Sequence, residues 1–436
     1  MGFLIELIDF LSIFFRSACL ILNMTTAMFW RRNIFPNGLT VLQFPRQSAN
    51  TAQLSIAVEY GSNQEPPEIA GVAHFLEHML AGGSNKRIQQ SRSIENSGGI
   101  MDFYTDHEHM MTTMDVLPGE LVPASNIISE LLFSSVFEEE KFGQERKIIL
   151  NELAEALDDP TERIEELLMK SLFKKHPINR PVGGVPKKIR QLKLNQLVKA
   201  HEANYVPQNM ILILAGNFTQ ENAEVVLKNF KNRKFEMPKK NAFPIETGRP
   251  KPLIVEKKPG ITQAYLSIGA RTVCSSHQDA PVLDLMSAML SGGTSSRLFV
   301  ELRERHALTY DVNSDHNKGV DFGYFSINCA VKDKNLEKAK QVIFKELTKL
   351  KTEKVPMEEL EKTKNLIVGA SLRGMDNPQD CSEILAYMEM QFKSEKALVD
   401  HITKIKEVSS ENILKAANAY LNEDWISTVI LKPKQN

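Results

Sequence analysis

Two histidines stand four residues apart with an acid between them in Gly71-Val-Ala-His-Phe-Leu-Glu-His-Met-Leu80: His74, Glu77 and His78. On a helix, positions i and i+4 share a face. Two neutral imidazoles so placed suit one zinc ion, and a catalytic zinc needs a third protein ligand and an open position for water. The metal lowers that water's pKa from about 16 to about 7. Glu77, one turn from His74 and beside His78, is placed to take the water's proton as general base rather than to bind the metal. The flanks read as helix: Pro66-Pro67 suits a start, Ala73, Leu76, Met79 and Leu80 supply apolar positions, and Gly82-Gly83 a stop.

The order H-x-x-E-H is that of the inverted zincins, but pairs of histidines at this spacing also occur on solvated helices, so the reading needs a third ligand. Glu145-Arg-Lys-Ile-Ile-Leu-Asn-Glu152-Leu-Ala-Glu155 is an amphipathic helix whose acids recur along it. Glu145 and Glu152 lie seven residues apart, two turns along one face. A ligand from this helix is stereochemically reasonable. The alternative is a solvated face whose acids pair with Arg146 and Lys147.

The chain of 436 residues is long for one core, so two or more domains are expected. A net charge of -1 argues against a nucleic-acid partner held by bulk charge. Cys19, Cys274, Cys329 and Cys381 form no C-x-x-C pair, hence no disulfide framework and no thiolate metal site. That suits a reducing, cytoplasmic setting. Residues 1–30 are rich in Phe, Leu and Ile, interrupted by Glu6, Asp9 and Arg16. They read as a loose tail, as a membrane contact or tether (a central Arg costs about 2.5–3.5 kcal/mol on insertion scales), or as a start placed too early, with Met24 or Met28 as the true one. A secretory signal is disfavoured by the missing positive n-region.

Stretches 39–44, 54–58, 100–105, 110–116 and 210–215 read as strands, and 88–97, 119–134 and 137–157 as helices. Residues 160–230 read as a helix, a Pro/Gly loop from Pro177 to Pro186, a further helix and the last of those strands. The Lys- and Pro-rich stretch from Lys231 to Pro252 reads as a linker. Beyond it the chain echoes itself. Leu54-Ser-Ile returns as Leu266-Ser-Ile268, an offset of 212, and Met79-Leu-Ala-Gly-Gly-Ser84 as Met289-Leu-Ser-Gly-Gly-Thr294, an offset of 210. This is a tandem duplication rather than a short-period solenoid. At the later offset His74, Glu77 and His78 fall on Asp284, Ser287 and Ala288, so the second copy has no metal site. The expected organisation is a tail over 1–32, a catalytic domain over 33–230, a linker over 231–252 and an inactive homologous domain over 253–436.

From about Asn33 to about Leu431 the sequence resembles the pitrilysin-type (insulinase superfamily) zinc peptidases, in the two-domain branch that includes the mitochondrial processing peptidase and its prokaryotic relatives. The residues that carry the resemblance are Pro36-Asn-Gly-Leu39, Gly61-Ser62, Ala73-His-Phe-Leu-Glu-His-Met-Leu80, Glu145-Arg146 with Ile149-Leu-Asn-Glu152, Pro177 to Gly184, Tyr205-Val-Pro-Gln-Asn209, Ala215-Gly216, Ser295-Ser-Arg-Leu-Phe299, Leu302-Arg-Glu304 and Leu308-Thr-Tyr310. It implies an α+β fold: two tandem homologous α/β domains, each a mostly antiparallel sheet packed with helices, forming half of a clamshell chamber. It implies His74, His78 and Glu152 as zinc ligands, with Glu155 the runner-up for the third, Glu77 as base, and Glu145 as the acid that orients a ligand. It also implies that Tyr310 donates a hydrogen bond to the oxyanion of the scissile carbonyl while Arg303 holds the substrate backbone.

The resemblance further implies that a peptide or unfolded polypeptide adds as a strand along Gly99, Ile100, Met101, Asp102 and Phe103. Here the sequence departs from the family, which has Asn-Ala where Asp102 and Phe103 stand; the departure bears on specificity, not on chemistry. In some relatives the zinc motif and the Arg/Tyr pair lie on different subunits. This chain carries both, so a homodimer is expected, with a heterodimer with an inactive homologue as the alternative. The alternative function is a non-catalytic or partner-dependent subunit of a processing-peptidase-like or respiratory-complex core assembly. His107-Glu-His109 presents two histidines on one side if it is a strand, but no third ligand accompanies them.

Overall fold

The structure is a computed structural model and describes residues 30–230, 243 and 246–434. Most of the expected tail and linker lies outside the described residues. Among the described residues no helix is long and apolar enough to cross a membrane.

Six strands make the first sheet: β1 (Arg31–Ile34), β2 (Thr40–Pro45), β3 (Ala52–Val58), β4 (Ile100–Thr105), β5 (Met110–Val116) and β6 (Met210–Gly216), in the order β1-β2-β6-β3-β5-β4. Five make the second: β7 (Leu253–Lys258), β8 (Ala264–Arg271), β9 (Val312–Lys318), β10 (Gly323–Val331) and β11 (Ile426–Pro433), in the order β7-β11-β8-β10-β9. In each sheet one pair is parallel, β2 with β6 and β7 with β11, and the rest are antiparallel. The second sheet therefore repeats β2-β6-β3-β5-β4 strand for strand. The echo read from two short sequence matches is a duplicated sheet.

The helices of the first half are α1 (Val72–Gly82), α2 (Asn85–Asn96), α3 (Leu121–Phe133), α4 (Glu139–Asp158), α5 (Pro160–Leu172), α6 (Pro186–Gln191), α7 (Leu194–Asn204) and α8 (Gln220–Lys228). Those of the second are α9 (Ala280–Ser291), α10 (Leu336–Thr352), α11 (Met357–Gly374), α12 (Pro378–Phe392), α13 (Ala397–Glu407) and α14 (Ser410–Tyr420). Residues 186–228 hold three helices where one was expected: α6 ends at Leu192 and α7 starts anew after Lys193, while α8 follows β6 with Thr219 as its N-cap. Two local expectations are corrected. Pro66-Pro67 opens only a short 3₁₀ turn at Pro67–Ile69, and α1 begins at Val72 because Gly71 adopts φ 97. The ordered sheet also starts at Arg31, inside the stretch assigned to the tail, where Arg32 forms a bidentate pair with Glu389 at 2.8 Å.

β3 and β6 are buried at every position. Continuous apolar runs such as Met-Ile-Leu-Ile-Leu-Ala need cover on both faces, and each half takes part of that cover from the other. α5 lies on β8 and β11, with Ile164, Leu168 and Leu172 packed against Tyr324, Val429 and Leu431. In exchange α12 lies on β3 and β6, with Cys381, Leu385 and Ala386 packed against Ala57, Ile211 and Ile213.

Candidate active site

α1 presents two faces. Its apolar face carries Phe75, fully buried and stacked on Phe142 of α4 with centroids 4.6 Å apart. Burying such a side chain is worth about 1.5–3 kcal/mol, and this pair sets the distance between the helix that bears the histidines and the helix that bears the acids. The opposite face carries His74 and His78, with ring centroids 4.8 Å apart. The Glu152 carboxylate lies between them: Oε1 is 3.5 Å from His74 Nε2 and Oε2 is 3.3 Å from His78 Nε2. Glu145, two turns earlier on α4, meets the far nitrogen of His78, Nδ1, at 3.1 Å. Arg146 does not pair with it but stacks on Phe142 and donates to the Leu192 carbonyl.

These atoms fit a zinc ion. Ligand atoms about 2.0–2.2 Å from a tetrahedral metal lie roughly 3.3–3.6 Å from one another; the Glu152 oxygens stand at 3.5 and 3.3 Å from the two imidazoles, and the three ligand atoms lie within 4.8 Å of one another. Among the described residues His74, His78 and Glu152 form the one group of three that could hold a metal. Glu155 lines the neighbouring cavity but is not in that group, so the geometry favours Glu152. Burial opposes a cationic His78, but hydrogen bonds with Glu145 and Glu152 outweigh it and lift its pKa to about 9. The same two imidazoles hold the Glu152 carboxyl well below the usual range. Glu77 is half-buried, and its negative charge acts on His78.

The site opens on a cavity of about 700 Å³ whose wall includes His74, Glu152, Glu155, Glu162, Glu166 and Arg180. β4, an outer strand that among the described residues pairs only with β5, reaches this cavity at its last residue, Thr105; Gly99, Ile100, Met101, Asp102 and Phe103 do not line it. β4 also contacts α1. Ile100 is exposed, and Met101 and Phe103 pack against the first core from the other face. The bulk of Phe103 thus goes into the core, while Asp102 turns outward and caps the amide of Phe103 at 2.9 Å.

Arg303 and Tyr310 are brought together but not to the histidines. The Arg303 guanidinium lies 4.3 Å from the centroid of the Tyr310 ring, which is 80% exposed. Tyr310 lines a separate cavity of about 410 Å³. Glu165 of α5 borders both cavities. His107 and His109 lie in the turn between β4 and β5, not on a strand, and diverge. His107 meets Ser62 Oγ at 2.9 Å, and burial lowers its pKa to about 4; His109 meets Asp106 at 2.9 Å. At the equivalent of the metal site in the second half, Asp284 meets His316 at 2.7 Å and Lys318 at 2.5 Å.

Sequence reasoning missed the supports of α1. Glu65, buried, accepts from the amides of Gly71 at 2.8 Å and Ala73 at 2.7 Å, capping the helix start. Arg180 donates to the carbonyls of Ser62 and Glu65 at 3.2 Å. Gly184, at φ 79, lies so close that an added Cβ would stand 2.6 Å from Gly71 Cα. The run Pro177 to Gly184 was a signal for the last two; nothing marked Glu65.

Comparison with known proteins agrees with this geometry. Residues 41–185 match the family description Insulinase (Peptidase family M16), and residues 191–367 match Peptidase M16 inactive domain. An uncharacterized zinc protease of Mycobacterium leprae is 26% identical over 92% of this chain and 91% of its own length. A Rickettsia bellii uncharacterized zinc protease is 28% identical over 90% and 92%. Among solved structures, a protease from Helicobacter pylori superposes with TM-score 0.83 at 21% identity, covering 93% of this chain and 99% of that one. A chain of Complex III from Candida albicans superposes with TM-score 0.79 at 15% identity, covering 92% and 95%. The chain belongs to the M16 family, the pitrilysin/insulinase superfamily, and it is zinc protease-like at the level of that family.

Proposed function

We propose that this protein is a zinc endopeptidase acting on short or unfolded polypeptides. The observation that carries the reading is the Glu152 carboxylate set between the Nε2 atoms of His74 and His78, with Glu145 behind His78. His74, His78 and Glu152 hold the metal. Zinc there would act as a Lewis acid, activating water and polarising the scissile carbonyl. Glu77 accepts the proton of the attacking water and passes it to the leaving amine. Glu145 fixes the ring of His78 so that Nε2 faces the site. The substrate lies extended against β4, whose free backbone edge takes any sequence, and folded proteins lack the extended segment this requires.

Arg303 and Tyr310 complete the site from a second copy. Their position at a different cavity from the histidines supports a dimer in which each chain lends them to its partner. The same separation supports the second reading, a subunit active only with a different homologue. Cleavage of a quenched unstructured peptide, beside the same sequence inside a folded domain, tests the proposal. Cleavage of the free peptide alone, stopped by a chelator and restored by zinc, is expected. Equal cleavage of both, or activity indifferent to chelation, would overturn it.

A further inference from the structure

Another cavity, of about 430 Å³, lies in the second half, and its chemistry is opposite to that of the metal-site cavity. It sits between the end of α9, the loop that follows, and α11. The loop reads Gly292-Gly293-Thr294-Ser295-Ser296. From α11 come Lys362 and Arg373, eleven residues apart and so on one helical face. Among the described residues no carboxylate lines the space. Arg297, next along the chain, is already matched by Glu359 at 2.7 and 2.8 Å. Among the described residues Lys362 reaches only uncharged oxygens, the Ser295 carbonyl at 3.0 Å and hydroxyl at 3.2 Å. Arg373 has no carboxylate partner among the described residues.

Unfilled hydrogen-bonding capacity accompanies the charge. Ser296 is 5% exposed, and its hydroxyl has no partner among the described residues. A buried hydroxyl normally finds one, so this one points to a group the chain does not supply. The loop's own bonds use the amides of Gly292, Gly293 and Ser296, leaving those of Thr294 and Ser295 without a backbone acceptor among the described residues. Gly293 adopts φ 125 with open space beside it, which keeps the backbone approachable.

We propose that this cavity binds the phosphoryl group of a small phosphorylated molecule. Two unmatched cations suit a dianion, and adjacent amides and hydroxyls suit an oxyanion with many lone pairs. A carboxylate carries one charge and two oxygens and would leave part of this set unused. The acid-lined cavity beside His74 would repel the same ligand, so the two cavities sort ligands by charge.

The test is calorimetric titration of the full chain with inorganic phosphate, with glycerol phosphate and with acetate at constant ionic strength, using wild type, the double variant Lys362→Gln/Arg373→Gln, and Ser296→Ala. Saturable binding of phosphate or its monoester near or below about 1 mM is expected, weakened about tenfold or more in the double variant. Ser296→Ala keeps both cations and is expected to weaken binding about threefold or more with unchanged unfolding temperature. Monoester binding tighter than phosphate would identify the larger molecule as the ligand, and the reverse the free ion; either supports the site. No saturation, equal affinity in the double variant, or acetate binding as tightly as phosphate would overturn it.

Discussion

His78 is gripped from both sides, by Glu145 on one ring nitrogen and Glu152 on the other, and that separates a site from a chance pair of histidines. A carboxylate behind a ligating histidine fixes its tautomer and raises its basicity. Glu145→Gln should therefore weaken zinc about 10- to 100-fold in competition with a chelator, and unchanged affinity would show that the contact is incidental. Glu65 gives a pH prediction. Burial lifts its carboxyl to about 8, against the pull of the Gly71 and Ala73 amides and of Arg180. A folded pKa above the unfolded one means that the folded chain keeps a proton the unfolded chain loses. The stabilisation is full below about 4.5 and is lost as pH rises through about 8. Unfolding temperature should fall across that window in wild type and fall less in Glu65→Gln; parallel curves would contradict the assignment. At this scale the motif was legible because four-residue spacing is local. Glu152 and Glu155 were separable only once α4 was set against α1. Glu65 looked like any surface acid, because its partners are reached through a turn that no pattern announces.

At the scale of elements, the site depends on how the Pro177 to Gly184 loop seats α1. Gly71 and Gly184 both have positive φ and approach backbone to backbone. Gly184→Ala adds a strained dihedral and a clash that backbone cannot yield to cheaply. It should cost about 2 kcal/mol or more and lower turnover together with unfolding temperature, measured by thermal scan and peptide assay. A fully stable, fully active variant would show that the loop does not set the helix. The helices themselves were legible from apolar spacing and stop signals. What covers them was not: the apolar stripe of α5 says that it must be buried, and only the structure shows that β8 and β11 of the other half bury it.

At the scale of the molecule, the duplication was legible because two short matches kept nearly the same offset, and the second sheet repeats the order β2-β6-β3-β5-β4 of the first. The replacement of His74, Glu77 and His78 by Asp284, Ser287 and Ala288 was legible too; in the structure Asp284 meets His316 and Lys318. That Arg303 and Tyr310 stand at a different cavity from His74 was not, since sequence distance carries no direction. It yields a complementation test. If each chain lends Tyr310 to its partner, co-expressed Glu77→Gln and Tyr310→Phe chains form mixed dimers with one intact site. Mixing should then restore about a quarter of wild-type activity from two inactive variants. No recovery in dimers shown to be mixed would place both residues in one chain's site.

The most direct test of the central claim is turnover and zinc content on the same samples of wild type and Glu77→Gln. The account predicts about one zinc per chain in both and turnover lower by about 100-fold or more in the variant, the scale of a lost general base. Equal turnover with zinc bound in both would contradict it.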